Sequence, residues 1–416
     1  MREETKTKSF YFSRRAAMSI LIGVAILFCA FFTRIYTAMP WHESSILGIP
    51  DYQWRQSVAA GFFSASVCGI LLSAGCIFWV LLTPLTGAGW AHDMRRIWLR
   101  LGESGMIAWI FLFCAVGSMW TVLFPWMAHI NRLSPGFLWQ WGGEPLALAL
   151  KGKGMNNLAE RVWFLNMPFF FTREFLYGFL LVLIPSVWMN RFERSREIES
   201  LHSRTQRVRR ICSALLFPFV VIVIGMMGVD WTSPNGTEWI PSIFPLAFLS
   251  HATVLGLAMS CCFLPRVEQS GRTTSRMGGL LIAGLMFKLY FWYSMYMLVW
   301  YADIPGETSF YSIRLRGDWG GIASFCSWSE VVILLLLLIP FVRKKSGTLA
   351  GCGAVLLLFG MVEVYWMIAP GMGVDAPWGM CGWVFISSLL IIAFSMCLLF
   401  ISRRKQDRST YLDESP

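Results

Sequence analysis

The sequence predicts an all-α, polytopic membrane protein with about ten transmembrane helices in one integral domain, residues 1–416. Three observations predict it. Hydrophobic residues make up 56% of the chain and charged residues only 14%, about half the charge of a soluble protein. The mean hydropathy is +0.57. The apolar residues also fall into blocks of about twenty, the length that crosses a ~30 Å hydrocarbon core. Together these exclude a soluble enzyme.

The elements follow in order. The first block, Ala16–Ile35, follows a basic stretch and lacks a small-x-small cleavage site, so it reads as an uncleaved anchor. The next four are Val58–Leu82, Ser104–Val122, Pro168–Trp188 and Ile211–Val229. The second five are Ile240–Leu264, Gly278–Tyr301, Gly320–Val342, Leu349–Ala369 and Met380–Ile401. Pro, Gly or charge clusters punctuate the breaks between them. The longest connection, Leu123–Met167, holds Gly-Gly, a few Pro and several Trp, and is expected at the membrane surface. No tandem repeat is visible.

Lys and Arg set the orientation. Alternate connections, beginning with residues 1–15 and ending with residues 402–416, hold 25 of the 35 basic residues, and the opposite set holds 8. Arg173 and Lys288 lie inside spans. The positive-inside rule then predicts a cytoplasmic N-terminal tail, 1–15, and a cytoplasmic C-terminal tail, 402–416, which requires an even number of crossings. The net charge of +11 is accounted for by this asymmetry, so no nucleic-acid partner is expected.

Redox ligands can be sought by elimination. No C-x-x-C-H is present for c-haem, only His251 of the five His lies deep in a span, and the 11 Cys form no cluster suited to iron–sulfur ligation. Cys29, Cys68, Cys76, Cys114, Cys212, Cys352 and Cys397 lie inside apolar runs, and Cys261 and Cys262 are adjacent. They read as packing residues. No metal site, covalent cofactor or nucleotide-binding P-loop is expected.

Charges inside hydrocarbon cost a few kcal/mol each, about 2.5–3.5 at a helix centre, so each retained one needs a partner or a task. The candidates are Arg173 and Glu174 in span four, His251 in span six, Lys288 in span seven, Glu330 in span eight and Glu363 in span nine. His251, Lys288 and Glu330 are placed near the midplane by residue count, and Glu174 and Glu363 nearer the outer face. Asp230, Asp303 and Asp318 mark that outer boundary beside Trp231, Trp300, Tyr301 and Trp319. Such a series suits a proton half-path; mutual neutralisation of Lys288 and Glu330 is the structural alternative. Span seven is also dense in aromatics, including Tyr290, Trp292 and Tyr296, which suits either packing or the docking of a flat ring such as a quinone.

The run Tyr290–Pro305, YFWYSMYMLVWYADIP, resembles the Y-x-W-x-S-x-Y-M-L-I-W-Y-x-x-[IL]-P stretch of one family. These are the second quinone-binding-type membrane subunits of bacterial alternative complex III, relatives of the NrfD-like polysulfide reductase membrane subunits. Leu85-Thr86-Gly87-Ala88-Gly89-Trp90 with Arg95-Arg96 is similar to the family's L-T-G-G-x-W…R-R. Leu123-Phe124-Pro125-Trp126 is similar to its L-Y-P-W. Phe164-Leu165-Asn166-Met167-Pro168-Phe169-Phe170 with Arg173 is similar to its Y-L-N-x-x-F-F…R. Val362-Glu363-Val364-Tyr365-Trp366 with Pro370 is similar to its late span. Three positions depart from the family pattern: Met295 stands for Gln, Lys288 for an aromatic, and Trp98 or Leu99 for a Glu.

The resemblance implies two four-helix bundles plus flanking helices, in a respiratory quinol:cytochrome c oxidoreductase of the bacterial inner membrane. It implies a sister NrfD-like membrane subunit, an iron–sulfur subunit and c-type cytochrome subunits as partners, which hold the Fe-S clusters and haem c. Quinone or menaquinone is the implied small molecule. On this reading Glu174, Glu330 and Glu363 carry protons, His251 relays them, and Arg173 and Lys288 tune the carboxylates. Asp230, Trp231, Tyr290, Trp292 and Tyr296 are the quinone-contact candidates. An ion-coupled secondary transporter and a non-conducting membrane scaffold are the rival classes; the first lacks visible inverted repeats or helices broken at mid-depth.

Overall fold

The computed structural model describes residues 51–124, 126–127, 148, 151–152, 160–161, 163–188, 192, 202–232, 241–267, 272–304 and 307–413. The expected first span, Ala16–Ile35, the N-terminal tail and most of the Leu123–Met167 connection lie outside the described residues. The described residues are all-α without strands, and nine of their helices are long and apolar enough to cross a membrane. The protein is a multi-pass, all-α membrane protein. A helix satisfies its own backbone, which is why apolar blocks of this length take that form in lipid.

The long helices are α1 (Asp51–Leu85), α2 (His92–Leu123), α3 (Met167–Trp188), α4 (His202–Thr232), α5 (Phe244–Val267) and α6 (Arg272–Ala302). A short α7 (Ser309–Arg314) precedes α8 (Asp318–Leu338), and a short α9 (Pro340–Lys344) precedes α10 (Ser346–Ile368). Last comes α11 (Met380–Asp413), which continues as helix into the stretch expected as the C-terminal tail. Pro84, Pro185, Pro218 and Pro265 sit within helices, as membrane helices tolerate, and α2 has a kink at Met119 with φ −126° and ψ 19°.

The packing forms two four-helix groups. The first is α1–α4, and the second is α5, α6, α8 and α10, with α11 flanking against α1 and α2. The seam between the groups is α1 and α4 against α5, and the backbones of α1 and α5 touch. A Cβ added to Gly75 would lie 1.9 Å from the Ala252 carbonyl oxygen, and one on Gly256 would lie 2.7 Å from the Gly75 carbonyl carbon. Only glycine fits there, the small-residue contact by which membrane helices pack closely. Trp79 Nε1 adds a bond to the Thr253 carbonyl across the same seam, at 3.0 Å.

The end of the molecule away from the basic connections is tied by α7. Arg314 is fully buried and donates through Nη2 to the Thr232 carbonyl at 2.9 Å and through Nε to the Met367 carbonyl at 2.8 Å. Those carbonyls end α4 and α10, one in each group, and helix-end carbonyls need outside donors. Trp366 Nε1 in turn donates to the Arg314 carbonyl at 2.8 Å. Exposed Trp300, Tyr301 and Trp378 ring this end, as interfacial aromatics do.

Candidate functional site

Among the described residues, two clusters of charged side chains lie inside the membrane-spanning helices, one in each helix group. The larger is in the second group. On α6, Leu281, Leu285, Lys288, Met295 and Val299 share the buried face at helical spacing, and Lys288 is the one charge on it. Its Nζ donates to Glu330 Oε1 of α8 and to Glu363 Oε2 of α10. From α5, His251 Nδ1 lies 3.4 Å from the same Glu363 Oε2. Its Nε2 lies 3.1 Å from the Gly360 carbonyl oxygen. Lys288, His251 and Glu330 are each no more than 3% exposed.

The approach of the four helices depends on small residues. A Cβ on Gly360 would meet Leu255 Cδ2 at 2.6 Å, and one on Gly284 would touch Leu257 and Val254 at 3.4 Å. Toward the sparsely charged end, Trp292 lies one turn beyond Lys288 and Trp366 three residues beyond Glu363. Their rings pack edge to face at 6.0 Å. The side chains of Glu363, Lys288 and His251 meet directly.

The chemistry of this cluster follows from its hydrogen positions. A carbonyl can only accept, so the Gly360 contact assigns a proton to His251 Nε2. The neutral imidazole then turns the Nδ1 lone pair toward a carboxylate oxygen. Two acceptors facing at 3.4 Å need a proton between them, on one or the other. Two carboxylates also stand against one ammonium. The cluster can hold an exchangeable proton on Glu330, Glu363 or His251.

The second cluster is in the first group. Arg173 of α3 donates to both oxygens of Asp230 of α4, at 3.1 and 2.7 Å, the bidentate geometry that suits guanidinium and carboxylate. It also donates to the Phe164 carbonyl and lies 3.9 Å from the Phe164 ring centroid. Tyr177, one turn along α3, donates to Asp230 Oδ2 at 3.1 Å. Glu174 accepts from Trp231 Nε1 at 3.0 Å. Sequence reading found Arg173, Glu174, Asp230 and Trp231 but missed Tyr177, whose spacing of four from Arg173 was the available signal. It also left Glu103 in a connection, whereas Glu103 is buried within the candidate span Met94–Trp120.

The quinone-contact candidates fall into separate groups. Asp230 and Trp231 are engaged within the first helix group by Arg173, Tyr177 and Glu174. Trp292 packs on Phe244 and Trp366. Tyr290 is exposed, and Tyr296 sets its ring edge-on to Tyr311. These five residues do not converge on one site. A cavity of about 250 Å³ at the sparsely charged end, lined by Arg316, Trp319, Gly371, Gly373 and Asp375 among others, involves none of them.

No protein-family model matches the chain, and no curated protein matches it either.

Proposed function

We propose that this chain is a membrane subunit of a respiratory quinol:cytochrome c oxidoreductase of the bacterial inner membrane, and that its own task is to move protons through the Lys288 cluster. The observation that carries the proton part is Lys288 held between Glu330 and Glu363, with His251 on the far side of Glu363. Ionisable groups at this depth cost several kcal/mol, roughly 3 or more each, so their retention favours a task such as conduction or exchange. The ordered motifs from Leu85 to Pro370 support the respiratory assignment. Quinol oxidation and electron transfer then belong to the partners: a sister membrane subunit, an iron–sulfur subunit and c-type cytochrome subunits. Loop charge supports cytoplasmic termini.

The cluster supplies a defined exchange. A proton passing from His251 Nδ1 to Glu363 Oε2 neutralises that carboxylate and loosens its bond to Lys288. The ammonium then pairs with Glu330 alone. Return of the proton from Glu363 Oε2 to His251 Nδ1 restores the shared arrangement. Each state keeps Lys288 paired, which the low dielectric demands.

Gentle detergent extraction with a C-terminal affinity tag, followed by optical spectra and subunit identification, tests the assignment. Co-purifying c-haem and iron–sulfur subunits with quinol oxidation is the expected result. A colourless, solitary protein, under conditions that keep other respiratory complexes intact, would count against it and favour ion-coupled transport.

A further inference from the structure

We propose that the first helix group holds a separate proton-binding site, in which Glu174 carries a standing proton and shares one internal water with the indole of Trp109. Charge and hydrogen-bond accounting lead there. Arg173 is the cation of this cluster, and Asp230 engages it with both carboxylate oxygens while accepting from Tyr177 as well. Glu174 is left with one neutral donor, the Trp231 indole, on Oε1. Its Oε2 is buried and has no hydrogen-bond partner. A carboxylate in hydrocarbon with a single neutral donor is poorly compensated, and the neutral acid is the form such an environment accepts.

A second, independent orphan lies on α2, the helix that packs against α3. Trp109 Nε1 is buried without an acceptor. The Trp109 ring covers Gly178, where an added Cβ would meet its Cε3 at 3.1 Å, and Gly178 is on the same α3 face as Glu174, one turn on. The Trp109 and Trp231 rings meet edge to face at 5.9 Å. An acid O–H on Oε2 needs an acceptor, and so does the Trp109 N–H. One water accepts from both, and buried polar groups left without protein partners are commonly satisfied in this way. The charged and titratable groups facing Glu174 are Arg173 and Tyr177 from α3 and Asp230 from α4; α1 and α2 present Phe63 and Trp109 to Trp231. The site is independent of the Lys288 cluster and of any proton movement through it.

Infrared difference spectroscopy of the full chain in lipid nanodiscs tests this. Wild type minus Glu174→Gln should show the loss of one protonated-acid carbonyl band, present well above the pH at which surface carboxylates ionise and shifted in D2O. Loss of a carboxylate band instead would overturn the proposal. Should Glu174→Gln fail to fold, Trp231→Phe removes the donor to Oε1. An upward shift of the acid carbonyl band is then expected, and a shift confined to the carboxylate region contradicts it. Trp109→Phe should displace the same acid band, and an unmoved band would remove the shared water. Lys288→Met should leave the band in place. Failure of proton movement through the second group therefore leaves this result readable on its own.

Discussion

His251 Nδ1 stands 3.4 Å from Glu363 Oε2, the carboxylate oxygen that Lys288 also holds, while its Nε2 faces the Gly360 carbonyl at 3.1 Å. The carbonyl fixes which ring nitrogen keeps its proton, and the carboxylate meets the nitrogen that can exchange one. Lys288, on the other side, limits how much negative charge the pair of glutamates can present. Proton affinity and ion pairing are thus joined in one oxygen atom.

Replacing His251 by Gln keeps a donor for the Gly360 carbonyl but removes the exchangeable Nδ1. The expected outcome is a fall in proton transfer of about 100-fold, the scale of losing a positioned acid–base group. Thermal stability in detergent should change by only about 1 kcal/mol. Stopped-flow pH measurements on proteoliposomes, alongside melting curves, check both parts.

Lys288→Met leaves two buried glutamates without their shared cation. The expected cost is about 3–5 kcal/mol, as when one partner of a buried pair is removed. Changing Glu330 to Gln in the same chain should recover at least about 1 kcal/mol of it, since contacting residues couple. Melting temperatures of the two singles and the double decide the matter; purely additive losses would show that Lys288 and Glu330 do not interact.

Arg314→Met removes the donors for the Thr232 and Met367 carbonyls and unties α7 from both helix groups. A loss of about 2–4 kcal/mol is expected from two buried acceptors left unsatisfied. Limited proteolysis should cut first near α7. A variant as protease-resistant and as stable as the parent would rule out this tie.

Gly75→Val or Gly256→Val places side-chain atoms where the α1 and α5 backbones already touch. Separation of the helices is the expected response, at about 1–3 kcal/mol or more. Fluorescence-detected size-exclusion of detergent extracts should show aggregation. Gly117→Ala on α2, where an added Cβ meets nothing within 4 Å, is the matched control.

The fold was legible because membrane helices are long and their apolar blocks are hard to mistake; the pairing of helices into two groups came only through resemblance. Lys288 with Glu330 was readable from two charges on consecutive long helices. The contact of Lys288 with Glu363 was not legible, because residue counting locates Cα atoms, while a glutamate and a lysine together span more than a helical turn. The Arg314 tie was missed since α7 is too short for periodicity to reveal, and its partners are backbone carbonyls that any residue carries. Trp231 was placed at the outer boundary, but its full burial against Glu174 was not legible, because spacing does not show which face a helix end turns inward.

The most direct test of the central claim is proton translocation by the purified, reconstituted complex carrying Glu330→Gln. With assembly verified by subunit composition and spectra, quinol oxidation should persist while protons moved per electron fall. Unchanged proton coupling in a fully assembled variant would contradict the account and remove Glu330 from any conducting role.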